Sequence, residues 1–171
     1  MALSKVARAL DRAPAQNIEG VIGIMTAIDD ALDDRDGVAW FNRLYLKVTK
    51  GVADAIAAGK FKDGPFIERL DVVFANYCFT ALKGFLALPQ TSPPAWWPLF
   101  EANERSLARL QFALAGMNAH INRDLMRAVV DVCQERNIVP QHDTDQKKDF
   151  DLLNPMLAAI EKQVHDWYLI D

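Results

Sequence analysis

His120 and Asp124 stand four residues apart in "ALAGMNAHINRDLMRAVV" (113–130), a segment whose apolar residues recur at helical spacing. At about 100° per residue, four steps return to within ~40° of the start, so the two side chains share one side of a helix. An imidazole oriented by a carboxylate can take or give a proton near neutral pH. The same pair can also offer two ligands to one divalent metal, as facing helices do in bundle metal sites. Asp71 supplies a second carboxylate, enclosed by Leu70, Val72, Val73 and Phe74 in "LDVVFANYCF". His120, Asp124 and Asp71 are therefore the candidate acid–base residues and the candidate metal ligands. His165, in "VHDWY", is a further candidate ligand.

Polarity on apolar ground recurs elsewhere. Asn42, Tyr45 and Thr49 follow spacings of 3 and 4 on one helical stretch, Asn76 lies in "FANYCF", and Asn154 sits between Leu153 and Pro155. Asn118 and Asn122 flank His120 on the other side of its helix, while Arg123, Arg127 and Asp131 line up as a solvated edge. A buried polar group without a partner costs about 1–3 kcal/mol, so these residues are expected to meet one another or a ligand. Asn42, Tyr45, Asn76, Asn118, Asn122 and Asn154 are the candidate ligand-positioning residues. Three readings stay open: a satisfied network that ties helices together, a solvent-reachable catalytic or ligand site, and a metal site. Against the metal, the chain holds three histidines and no HExxH or Glu-x-x-His pair.

Two further features bear on a site. In "PPAWWPLF", Trp96 and Trp97 form either a lid over a ligand cavity or a clamp that fixes a loop to the core. Gly116 lies one turn before His120, where close helix packing or room for a ligand would explain a residue that weakens helices. "DALDDRDG" (30–37) lacks the ligand order and closing Glu of a calcium loop and reads as a solvated helix end. There is no GxSxG, phosphate loop or GxGxxG.

The elements that must position these residues are helices. Ile18, Ile22, Met25, Ile28 and Leu32 form an apolar stripe over 17–32. Asp36 is placed to cap a helix over 38–59 that stops at Gly59, and Pro65 opens a third, 65–88, apolar almost all round and hence central. "PQTSPP" (89–94) is a loop. A long helical region, 95–137, is expected to break near Pro98 or bend near Ser106, and a last helix over 148–170 to be kinked or delayed by Pro155. No segment alternates with period 2 long enough for a strand. The reading is an all-α single domain, a bundle of five to six helices with a buried polar layer.

With 171 residues, half of them apolar, the chain can bury a sizeable core without staples. The net charge is −4 and the 19 cationic side chains are scattered, so no nucleic-acid footprint is present. Cys78 and Cys133 are far apart in apolar contexts and read as reduced thiols. No secretory leader and no apolar run near the ~20 residues of a membrane span is read. A cytoplasmic protein with no membrane partner is the expectation, with a homo-oligomer left open.

"GVAWFNRLYLKVT", "LDVVFANYCF", "WWPLFEA" and "FALAGMNAHINRDL" together resemble a bacterial family of helical proteins of unknown function, often actinobacterial. The resemblance spans roughly residues 36–154. It implies polar residues at Asn42, Asp71, Asn76, Asn118, His120, Asn122, Asp124 and Asn154, and so treats them as one constellation. It implies no activity. Family members run further beyond the last helix, so the end at "WYLID" is expected to reflect a shorter core, a missing helix or completion by a second subunit. The expected function is a small-molecule enzyme using acid–base chemistry, metal-assisted or not, in an interhelical pocket centred on His120. The alternatives are a helical module that binds an apolar ligand without catalysis, and a structural protein whose polar core fixes helix packing.

Overall fold

Helix caps written into the sequence set several of the element boundaries. A computed structural model of the chain describes residues 2–101, 109–139 and 141–164, with no strand among them. Asn17 accepts a hydrogen bond from Gly20 N at 2.9 Å and caps α2 (Ile18–Asp29). Asp36 accepts from Val38 N at 2.9 Å and caps α3 (Gly37–Ala57). α3 ends where Gly59 takes φ +65°, with Gly59 N bonding Ile56 O and Lys60 N bonding Ala55 O, the paired bonds of a glycine helix stop. Asp63 caps α4 (Gly64–Ala87), whose first turn holds Pro65.

The expected loop at 89–94 is two short 3₁₀ turns, Pro89–Thr91 and Pro94–Trp96, leading into α5 (Trp97–Glu101). The chain is next described from α6 (Arg109–Ala119), which runs through a π-helical turn, His120–Leu125, into α7 (Met126–Glu135). α8 is Asp145–Val164 with Pro155 inside it, so the proline neither delays the helix nor ends it. The expected bend at Ser106 and the candidate ligand His165 lie outside the described residues.

All-α architecture thus agrees with the sequence, with slightly more helices than expected. The additions are α1 (Ala2–Leu10), which buries Val6 and Leu10 one turn apart, and the short α5. The π turn is a further departure. Its bonds reach five residues rather than four, which widens the helix by one residue where the polar cluster sits, and apolar periodicity does not report it.

α4 packs against α1, α2, α3, α7 and α8, as expected for a helix apolar on several sides. By length and composition α4 also qualifies as a membrane span, which corrects the expectation that no such run exists. Two clusters form the core. One joins α1 and α2 to Phe41, Phe79, Trp96 and Phe112, and the other joins Val52, Phe66, Ile67 and Leu70 to Val132 of α7. Val48 and Phe74 pack against both. At that seam the helices leave a cavity.

Candidate functional site

His120 stands at the first residue of the π turn and is 1% exposed. Its Nδ1 lies 3.3 Å from Asp124 Oδ2. The same oxygen accepts from Trp96 Nε1 at 3.0 Å, and Oδ1 accepts from the Arg123 guanidinium. A carboxylate paired with Arg123 can only accept, so the proton of a neutral His120 sits on Nδ1 and Nε2 presents its lone pair. Burial pushes the His120 pKa down to about 4, against the opposing pull of Asp124, so the ring is neutral at neutral pH.

Aromatic rings enclose that imidazole. Phe74 lies flat on it, with ring centres 3.5 Å apart and planes 4° from parallel. Tyr45 meets it edge-on at 4.4 Å, Phe41 at 5.8 Å, and Trp96 lies behind it at 5.6 Å. Phe41 reaches this place because Gly116 has no side chain: a Cβ there would overlap the Phe41 ring. Close packing, rather than space for a ligand, accounts for that glycine.

The cavity beside His120 has a volume of about 170 Å³. From α3 it is lined by Tyr45, Val48 and Val52, and from α4 by Ile67, Leu70, Asp71 and Phe74. Met117, His120, Ile121 and Leu125 line it from α6 and the π turn, and Phe150, Leu153, Asn154, Met156, Leu157 and Ile160 from α8. The lining grades from buried Tyr45, Asp71 and His120 to Ile121, which is 39% exposed, and exposed Asn154. Its mouth therefore lies between the π turn and α8. Tyr45 Oη, Asp71 Oδ2 and His120 Nε2 are each buried with no hydrogen-bond partner, as is Thr49 Oγ1 one turn along α3.

Burial pushes the Asp71 carboxyl up to about 7, with the nearby charge of Glu68 adding to the effect. Burial also pushes the Tyr45 phenol well above its ordinary value, assisted by the negative charges of Asp71, Cys78 and Asp124. At neutral pH the site thus offers a fixed acceptor on His120, an un-ionised phenol, and a carboxyl balanced between its two forms.

The remaining predicted site residues do other work. Asn42 is buried away from the cavity and donates to Met25 O at 2.9 Å, tying α3 to α2. Asn76 clamps the segment before α2, accepting from Ala15 N at 2.8 Å and donating to Ala15 O at 3.0 Å. Asn118 and Asn122 are exposed and bond to each other at 2.5 Å, which corrects the expectation that they face inward. Trp96 and Trp97 do not line the cavity and form no lid over it. Trp96 is fully buried, holds Asp124 and stacks on Phe100, while Trp97 donates to Ser92 O at 3.1 Å.

Asp124 does not line the cavity either, because His120, Trp96 and Arg123 occupy its oxygens. His120, Asp124 and Asp71 therefore do not converge as metal ligands. Among the described residues no group of three or more His, Cys, Asp or Glu side chains could hold a metal ion.

Sequence reasoning missed several contributors. Arg123, read as part of a wet edge, is half-buried against Asp124. Its place next to Asp124 in the sequence is the one available signal. Phe74 was one apolar residue among many, and the α8 wall carries no polar mark except Asn154. Asp149 was also unremarked. It is fully buried and accepts from Lys62 N at 3.0 Å and Asp63 N at 2.6 Å, docking α8 onto the turn before α4.

The model of a family described as of unknown function, DUF5995, matches residues 18–169. No curated protein and no solved structure matches the chain.

Proposed function

This chain belongs to DUF5995, a family of unknown function, and from its geometry we propose that it binds a small molecule with a mostly apolar body and one polar end. One observation carries the reading: three buried polar atoms without partners, on Tyr45, Asp71 and His120, belong to residues that line the same apolar cavity. Buried polar groups in folded proteins are nearly always hydrogen-bonded, so three orphans in one place call for a partner that the fold does not supply. An apolar pocket with a few convergent polar groups is the usual form of a small-molecule site. The volume of about 170 Å³ suits one ring or a short branched chain, since an apolar cavity of about 150 Å³ takes up benzene.

The test is a ligand-observed NMR screen of single-ring and short branched compounds, run on the full chain and on Ile121→Trp, which narrows the mouth. Compounds should bind the parent chain and lose binding in the variant. An empty screen, or binding indifferent to Ile121→Trp, would overturn the reading.

A second reading, acid–base catalysis on the bound molecule, is favoured by Asp71 and a His120 of fixed tautomer lining the same cavity. A carboxyl held near 7 is matched to proton transfer at neutral pH. The protonated imidazole is disfavoured, so Asp71 would take the proton and return it, while the neutral His120 would accept a hydrogen bond from the bound molecule at Nε2. Solvent deuterium entering a carbon position of a bound compound, and lost in Asp71→Asn while binding persists, would support catalysis. Binding with no exchange leaves the non-catalytic module.

A further inference from the structure

Asp71 is a buried carboxylate with no cation beside it among the described residues. It is 8% exposed, and no Lys or Arg is among the described residues that line its cavity. Among the described residues, Glu68 on its own helix acts on its charge, Tyr45 and His120 share the cavity lining with it, and Cys78 and Asp124 act with it on the Tyr45 phenol. None of these is cationic at neutral pH. α8, which closes the cavity, presents Asn154 and apolar side chains to it.

The hydrogen-bond inventory has the same sense. His120 Nε2 is an acceptor, because the other ring nitrogen spends its proton on Asp124. Asp71 Oδ2 is an acceptor when ionised, and Tyr45 Oη has lone pairs to offer. Two acceptors, and a phenol that can accept as well as donate, ask for a donor-rich partner. A hydroxyl brings one proton, and a ligand carboxylate would be repelled by Asp71. A primary ammonium brings three N–H donors and the missing positive charge. Its own desolvation is costly unless it is paired, and the carboxylate supplies the pairing. The rest of the cavity is apolar and needs an apolar body, which a hydrated inorganic cation lacks.

Building on the small-molecule reading above, we propose that the ligand is a small apolar amine whose ammonium group pairs with Asp71 and is shared with His120 Nε2 and Tyr45 Oη. Phe74, flat on the imidazole, must slide or turn as the head group seats. A fully eclipsed ring pair is less favourable than an offset or edge-on one, so this contact is the one most readily given up.

The test is isothermal titration of the full chain with benzylamine, benzyl alcohol and toluene at ~pH 8, where the amine stays protonated and Asp71 is mostly ionised. Benzylamine should bind at least about tenfold more tightly than benzyl alcohol, a difference of ~1.4 kcal/mol. Asp71→Asn should remove that preference, bringing benzylamine and benzyl alcohol to within about twofold of each other, while its far-UV circular dichroism and cooperative urea unfolding show that the variant is folded. Benzylamine affinity should fall as the pH is lowered toward ~6, as Asp71 takes up its proton. Equal binding of the alcohol or toluene, or an amine preference that survives Asp71→Asn, would overturn the amine assignment and leave the pocket standing. Binding of none of the three probes would overturn both.

Discussion

Asp124 Oδ2 receives both Trp96 Nε1–H at 3.0 Å and His120 Nδ1–H at 3.3 Å, so one buried carboxylate fixes an indole and an imidazole together. The consequence is asymmetric. One ring nitrogen of His120 is spent on the fold, and the other is left for whatever enters the cavity. The π turn makes both events local, since His120 and Asp124 lie within its six residues.

Asp124→Ala should be among the most damaging single changes in the chain. It orphans the Trp96 indole and the His120 Nδ1–H in a dry interior, and it removes the anion opposite Arg123. Breaking such a buried pair typically costs about 3–5 kcal/mol. Urea denaturation would measure it, and a loss under ~1 kcal/mol would contradict the hydrogen-bond geometry.

Asp71→Asn should instead stabilise the chain at high pH. The folded state holds the Asp71 proton up to about 7, well above the ~3.9 of an unfolded aspartate. The stability that its protonated form gives is therefore present at low pH and lost as pH rises through 7. The variant should gain on the parent steadily between ~pH 4 and ~7 and level off above, with a plateau of roughly 1–3 kcal/mol after allowance for relaxation. A difference that stays flat with pH would show that Asp71 is not held in this way.

His120→Gln gives the opposite pH dependence. The folded pKa lies at about 4, below the ~6.5 of an unfolded histidine. The stability contributed by the neutral ring is full above ~6.5 and lost as pH falls toward 4. Relative to the parent, the variant should be least favourable at neutral pH and recover as the pH drops from ~6.5 to ~4. Paired thermal melts across that range would read the trend.

Gly116→Ala should destabilise by about 1–2 kcal/mol, although alanine is the better helix former by ~1 kcal/mol. The added Cβ overlaps the Phe41 ring, which is wedged against Trp96 and His120 and cannot retreat. Gly51→Ala is the contrast. Its Cβ meets the tip of Ile160 at 3.0 Å, a flexible end that can give way, so the change should be neutral or mildly stabilising. Denaturation midpoints that rank the two in the other order would contradict the packing.

Asp149→Ala should loosen α8 first. Lys62 N–H and Asp63 N–H both depend on that carboxylate, and losing it costs ~2 kcal/mol. Hydrogen exchange should quicken in α8 and the Lys60–Asp63 turn before it does in α3 or α4. Uniform exchange across the chain would show that α8 is held by its apolar face alone.

The sequence by itself determined α2, α3 and α4 with most of their ends, and the presence of a last helix, but neither α1 nor the short α5. Asp36, Gly59, Asp63 and Pro65 act through their own backbone neighbours, so local chemistry is enough to read them. It also identified His120, Asp124, Asp71 and Tyr45 as polar groups on buried ground, because helical period assigns a face to each. What period cannot assign is a partner. Asn118 and Asn122 carry the same local signal as Asn42, yet they are exposed while Asn42 is buried, because only the packing of neighbouring helices decides which side meets water. The π turn rotates every residue after it and depends on tertiary packing around His120 rather than on any residue's preference. The tertiary structure alone decided that Trp96 stands behind Asp124, that Asp124 faces away from the cavity, and that α8 closes it. Those are contacts between residues dozens of positions apart, and their energy exists only once the chain has folded.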